Sequence, residues 1–272
     1  MQDRAVVPES IFDAAFDGRP EEVVKWLASH AAPRDVVNCV YGELGSNATL
    51  LSCVSFGRPY DTGHAELVSL LISHGANVNN IESDGASPLC NVLRFFSYEC
   101  SGEAVIDMVS QLLSAGADVN WEYGNYGFPI AMVVEKFAKR RNVRPSSAAL
   151  AEVVNMLLRA GASVDICSEG KWSAWQKMRQ MWNTALQSEP YEDHRRCANL
   201  LYDRQFIRIK AQIDGVHAHG SWRAYIMAPR LEVLTLRGLA NRGKIRSTDP
   251  ALNNLVALPN ELICQVLAFW FG

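Results

Sequence analysis

Apolar residues recur at spacings of three and four along much of the chain, which is the period of a helix with one buried face. Leu50, Leu51 and Val54 form one such stripe, and Leu67, Leu70 and Leu71 form the next. Paired leucines return at Leu112-Leu113 and Leu157-Leu158. After each of the three pairs comes a short turn: His74-Gly75-Ala76-Asn77-Val78-Asn79, Ala115-Gly116-Ala117-Asp118-Val119-Asn120, and Ala160-Gly161-Ala162-Ser163-Val164-Asp165. Gly75, Gly116 and Gly161 stand 41 and 45 residues apart. Units of a few tens of residues at a near-fixed period predict a stacked array, because one unit cannot bury its apolar face alone. Glycine at the end of each amphipathic run predicts a left-handed C-cap, where a β-carbon would cost about 1–2 kcal/mol. The alanine after it lets the next unit approach, the valine turns inward, and the flanking Asn or Asp can hydrogen-bond the following turn.

The pattern resembles the ankyrin repeat. A helix closed by Leu-Leu and followed by Gly-Ala-Asp-Val-Asn is matched almost residue for residue by the first two copies and loosely by the third. The family's Thr-Pro-Leu-His at the start of the first helix survives as Ser87-Pro88-Leu89-Cys90. It decays to Thr49-Leu50-Leu51, Phe128-Pro129-Ile130 and Ser173-Ala174-Trp175. The resemblance implies an all-α ankyrin-repeat solenoid of helix-turn-helix units. Ankyrin units run to about 33 residues, so these carry insertions, expected where the two helices of a unit connect (57–63, 97–103 and 138–148).

Taken in order, residues 9–40 read as an N-terminal cap of two short helices around Gly18, with an acidic surplus suited to a solvent-facing terminal unit. Repeats follow at about 45–79, 82–120 and 123–165. A degenerate one at 168–206 carries Trp172, Trp175, Met178, Met181 and Trp182 on one helix and Ala198, Leu200 and Leu201 on the next. The array thus covers 9–206. Residues 207–228 read as a helix and connector, and 229–272 as a short helical tail.

With 49% hydrophobic and 20% charged residues, a net charge of −3 and a pI of about 6.1, the composition is that of a soluble chain. No field of one sign marks it for nucleic acid or an anionic membrane. Met1–Pro8 lacks the apolar core of a signal peptide, and no run approaches the roughly 18 apolar residues a membrane helix needs. A cytosolic or nuclear monomer is therefore expected. Seven cysteines, with no Cys-x-x-Cys pair, suit reduced, individually buried thiols rather than a disulfide framework.

Leu258-Pro259-Asn260-Glu261-Leu262 runs on through Val266, Leu267 and Phe269. Proline sits in a first helical turn and a glutamate near the positive end of the helix dipole, and the aliphatics then line one face. This stretch resembles the opening helix of an F-box, matched at Leu258, Pro259, Glu261, Leu262, Val266 and Leu267, and is closest to the shortened F-box-like tails behind ankyrin arrays. Thr235-Leu236-Arg237-Gly238-Leu239-Ala240 followed by Leu258-Pro259 is also similar in layout to a SOCS box, with Ala240 where that motif has cysteine. Either resemblance implies a tail that binds a cullin-ligase adaptor, Skp-like or Elongin-like. The competing reading is a helix that only closes the end of the array.

Recognition on an ankyrin surface depends on a few large side chains at loop tips and on the first-helix face. Trp121, Tyr123, Tyr126, Phe128, Trp172 and Trp175 are placed there. Trp121, Tyr123 and Tyr126 are expected to be exposed, whereas Phe128 and Trp175 fill the leucine slot of the first-helix signature if they are core. Lys136, Lys139, Arg140, Arg141 and Arg144 read as a solvated basic insertion. His217 and His219 lack the partners of a metal site, and Asp193, His194 and Cys197 lack the oriented third group of a nucleophilic triad. Gly243-Lys244 lacks the earlier glycine of a phosphate loop. No cofactor, metal or catalytic role is expected.

Overall fold

The structure, a computed structural model, describes residues 7–30, 33–40, 47–57, 59–97, 99–138, 145–187, 199–243, 253–254, 258–259, 262 and 265. All its regular elements are helical: among the described residues there is no strand, only an isolated bridge between Tyr123 and Gly127. Chain contacts divide it into Met1–Ile213 and Asp214–Gly272.

The first unit is built from helical hairpins. They are α1 (Glu9–Phe16) with α2 (Pro20–Ala28), α4 (Leu50–Phe56) with α5 (Thr62–Ser73), α6 (Pro88–Phe95) with α7 (Gly102–Ser114), and α8 (Pro129–Lys136) with α9 (Ser147–Arg159). A short α3 (Pro33–Val37) follows the first, and α10 (Ala174–Gln187) opens the next. First helices pack in succession, α1 on α4 on α6 on α8 on α10, and second helices do likewise, α2 on α5 on α7 on α9. Two helical layers result, with the core between them: Leu50, Leu51, Leu67, Leu71, Leu89, Leu93, Leu112 and Leu157 are buried. The helix-to-helix connections fall at 57–61, 96–101 and 137–146, as the insertions anticipate.

Capping fixes where each helix begins. The hydroxyls of Thr49, Ser87, Ser101 and Ser146 accept from backbone N–H groups three residues on, at 3.2–3.3 Å, which offsets donors a helix start leaves unpaired. Gly75, Gly116 and Gly161 adopt φ of +86°, +88° and +94°. Each allows a pair of closing bonds: Gly75 N–H donates to Ile72 O at 2.9 Å and Ala76 N–H to Leu71 O at 2.9 Å, and both bonds recur around Gly116 and Gly161.

These turns are joined by a ladder. Asn79 Nδ2 donates to Gly116 O at 2.9 Å while its Oδ1 accepts from Asp118 N–H at 2.8 Å. Asn120 repeats this toward Gly161 O and Ser163 N–H at 3.1 and 2.9 Å. Within a turn, Asn77 Oδ1 and Asp118 Oδ1 accept from the N–H groups of Asn79 and Asn120. The ladder also begins one unit earlier than the turn motif suggests. Asn38 bonds Gly75 O and Asn77 N–H at 2.9 and 2.7 Å, so 9–40 joins the same ladder although it lacks a Gly-Ala turn.

The degenerate unit departs from expectation. After α10, Asn199–Tyr202 forms a short 3₁₀ turn with Leu200 buried, and the long helix α11 (Arg204–His219) starts only then. Phe206, Ile209 and Ile213 make its buried stripe, and the Phe206 ring lies 5.6 Å from that of Phe137 and 6.4 Å from that of Trp182. A break at residue 206 would cut this helix near its start.

In the second unit, α12 (Trp222–Asn241) runs straight through Pro229, where the sequence suggests a boundary. The Tyr225 ring lies against the backbone of Gly215, where a β-carbon would come within 2.2 Å of it. No helix among the described residues is long and apolar enough to cross a membrane.

Candidate protein-binding surface

Between the ladder and each first helix the chain makes a tip. Glu82 N–H donates to Ala86 O at 2.9 Å around Gly85 in one, and Tyr123 N–H to Gly127 O at 3.0 Å in the next. Adjacent tips are tied together by Tyr123, whose hydroxyl donates to Asp84 Oδ2 at 2.7 Å and accepts from Arg94 Nη1 at 2.5 Å. The Arg94 guanidinium also lies 4.4 Å from the centre of the Tyr126 ring, which is itself stacked 4.9 Å from Tyr123. Burial first, then the Asp84 carboxylate, pushes the Tyr123 phenol well above its ordinary range.

The expectation that Tyr123 is exposed is therefore wrong: it is 2% exposed. Its hydroxyl meets a cation and an anion at once, so the ring is drawn inward as a brace. Trp121 is partly covered, its indole N–H donating to Gly85 O at 2.9 Å. Tyr126 and Trp172 are exposed at 44% and 46%. Phe128 is buried and Trp175 partly so, which places Phe128 in the core.

Tyr126 and Trp172 share a groove of about 460 Å³, formed by the tip at Asn125–Gly127, the next tip at Gly170–Trp172, and residues of α8 and α10. Its volume lies within the range of ligand sites, about 300–1,000 Å³. Met181 is buried at the groove. The charges that line it are matched: Lys177 Nζ is 2.5 Å from Glu135 Oε2, and Lys171 Nζ is 3.1 Å from Glu122 Oε1 and bonds Gly124 O. Hydrogen bonds from Ser168 and Lys171 hold the Glu122 carboxyl below its usual range.

A second cluster lies beneath the tips. Glu82 accepts from Asn91 Nδ2 at 2.6 Å. Burial, then Asp84, pushes its carboxyl up to about 7, against the lowering effect of Asn91, Ser52 and Arg94. The same burial, with Glu82 and Asp13, pushes the Cys53 thiol up to about 12.

Lys136 is not solvated: it is 5% exposed and donates to Arg94 O at 3.0 Å, closing the end of α6. Lys139, Arg140, Arg141, Arg144, Asp193, His194 and Cys197 lie outside the described residues. Cys90 and Cys100 are buried, but Cys167 is exposed. His217 and His219 are exposed, and His219 Nδ1 contacts Gly215 O of its own helix at 2.7 Å. In the tail, Leu258, Pro259 and Leu262 are described and Leu262 is 46% exposed, whereas Glu261, Val266, Leu267 and Phe269 lie outside the described residues. Arg237 Nη2 donates to Leu258 O. Nothing in α12 is buried, and Leu231, Leu234 and Leu236 are exposed.

Sequence reasoning missed Asn38 and Arg94. Asn38 carried a signal, since it precedes Asn79 by the 41 residues that separate Asn79 from Asn120. Arg94 carried none, because its partners come from two other segments. Compared with known proteins, the chain matches no family model, and no curated protein is significantly similar to it.

Proposed function

We propose that this is a non-enzymatic protein-recognition module: an ankyrin-type array that holds a protein target at its tips and first helices, with a tail that recruits a cullin-ligase adaptor so that the target is ubiquitinated. The observation that carries the first half is the groove between two successive tips, walled by Tyr126 and Trp172. Large exposed aromatics next to a formed concavity are the residues that dominate protein recognition, and the asparagine ladder holds them at fixed spacing.

The second half is supported by α12 and Leu262. A helix serving only to close a core would bury its apolar stripe, whereas Leu231, Leu234, Leu236 and Leu262 are exposed. A plain scaffold or inhibitor is the alternative. The test is capture of purified Skp–cullin or Elongin–cullin adaptors by the full chain and by a Leu258→Ala/Pro259→Ala/Leu262→Glu variant. Adaptor capture lost in the variant, with target capture kept, supports the adaptor role; no capture by the unmodified chain leaves the scaffold reading.

A further inference from the structure

We infer that the groove between the tips at Asn125–Gly127 and Gly170–Trp172 takes an extended, uncharged, proline-containing segment of a partner protein, an identification that rests on the recognition role proposed above. Among the described residues, the groove presents its ligand with no unpaired lysine to neutralise. Lys177 is already neutralised by Glu135, and Lys171 by Glu122, with a further bond to the Gly124 carbonyl. Nearby Arg94 has Asp84 at 3.8 Å and the Tyr123 hydroxyl. An acidic segment would have to compete with Glu135 and Glu122 for the two covered ammonium groups, and a basic one with Lys177 and Lys171 for carboxylates that are already paired. The lining thus complements a neutral chain.

What remains is aromatic, apolar and amide. Tyr126 and Trp172 present exposed ring area, Met181 and Ala138 supply apolar lining, and the Asn125 and Gln180 carboxamides line the same groove. A polyproline II segment suits this set. Its flat rings pack on aromatic faces, its backbone carbonyls lack internal hydrogen bonds and accept from carboxamide N–H groups, and its stiffness limits the ordering cost. One three-residue turn of such a segment is roughly 9 Å long.

The test is fluorescence anisotropy on the full chain with two fluorescein-labelled nonapeptides, (Pro-Pro-Leu)3 and (Glu-Ser-Leu)3, at 50 and 500 mM NaCl, alongside crosslinking capture of the cellular target. The proline peptide is expected to bind saturably, with affinity changed less than about twofold by salt. Trp172→Ala and Tyr126→Ala should each weaken it about tenfold, whereas Leu186→Ala, at an exposed position on α10 away from the groove lining, should not. Circular dichroism identifies any loss due to unfolding; if Trp172→Ala unfolds, Trp172→Phe replaces it, with a smaller loss expected. Preference for the acidic peptide, with affinity falling as salt rises, overturns the inference. So does failure of the proline peptide to bind; if target capture still depends on Tyr126 and Trp172, the recognition role survives, and if it does not, both fall.

Discussion

Asn79→Ala tests whether the ladder couples one hairpin to the next. The substitution removes the bonds to Gly116 O at 2.9 Å and from Asp118 N–H at 2.8 Å. A net contribution of about 0.5–1.5 kcal/mol each gives about 1–3 kcal/mol. The rung is exposed, so water replaces part of it and about 1–2 kcal/mol is expected. In urea, with a slope of about 2–3 kcal/mol per molar, the midpoint followed by far-ultraviolet circular dichroism should fall by about 0.5 M. Asn79→Asp keeps the acceptor but loses the donor and sets a carboxylate against the Gly116 carbonyl, so it should cost at least as much. Asn77→Ala, which loses only the bond inside one turn at 3.0 Å, should cost about half. A midpoint for Asn79→Ala within about 0.1 M of the unmodified chain, or equal losses for Asn77→Ala and Asn79→Ala, would refute the coupling.

Three further outcomes follow from particular residues. Glu82 is held at about 7 against an ordinary 4.5, so the folded state binds the extra proton between these values; stability then declines as pH rises through that window. The full shift corresponds to about 3 kcal/mol, reduced by partial exposure to about 1–2 kcal/mol. Glu82→Gln should therefore raise the melting temperature at pH 8 and have little effect at pH 4.5, and no gain at pH 8 refutes the assignment. Gly116→Ala meets no neighbour within 4 Å and should cost only the left-handed strain, about 1–2 kcal/mol. At Gly57 an added β-carbon would lie 2.1 Å from Phe16 O, so Gly57→Ala should cost about 3 kcal/mol; melting curves showing the reverse order would contradict both placements. In native protein, iodoacetamide should label Cys167 before Cys53 and Cys90, whose thiols burial pushes up, as peptide mass mapping would read.

The sequence exposed what depends on short-range chemistry. A glycine at φ near +90° after a leucine pair is a local demand, so Gly75, Gly116 and Gly161 announced their turns. Ser87-Pro88 stood at the expected start of a first helix and caps it, whereas the cap Ser101 lies in a stretch read only as an insertion. Side chains that answer to distant partners were not legible. Tyr123 has the composition of a binding residue, and only Arg94 and Asp84, 29 and 39 residues away, turn it inward. Lys136 looked solvated until the Arg94 carbonyl, 42 residues back, gave it a buried acceptor. Pro229 suggested a break because proline forgoes one helical bond and crowds the preceding turn, yet α12 continues past it.

The three rungs bridge 37, 37 and 41 residues of chain, from Asn38 to Gly75, Asn79 to Gly116 and Asn120 to Gly161. Helix connections differ in length, at 57–61, 96–101 and 137–146, yet every carboxamide rung from Asn38 to Asn120 closes with nearly the same geometry. Extra chain therefore enters at the margin remote from the rungs, like pages of unequal width sewn to one spine. Such a protein is free to lengthen its far edge over evolutionary time without disturbing the pitch at which Tyr126 and Trp172 stand.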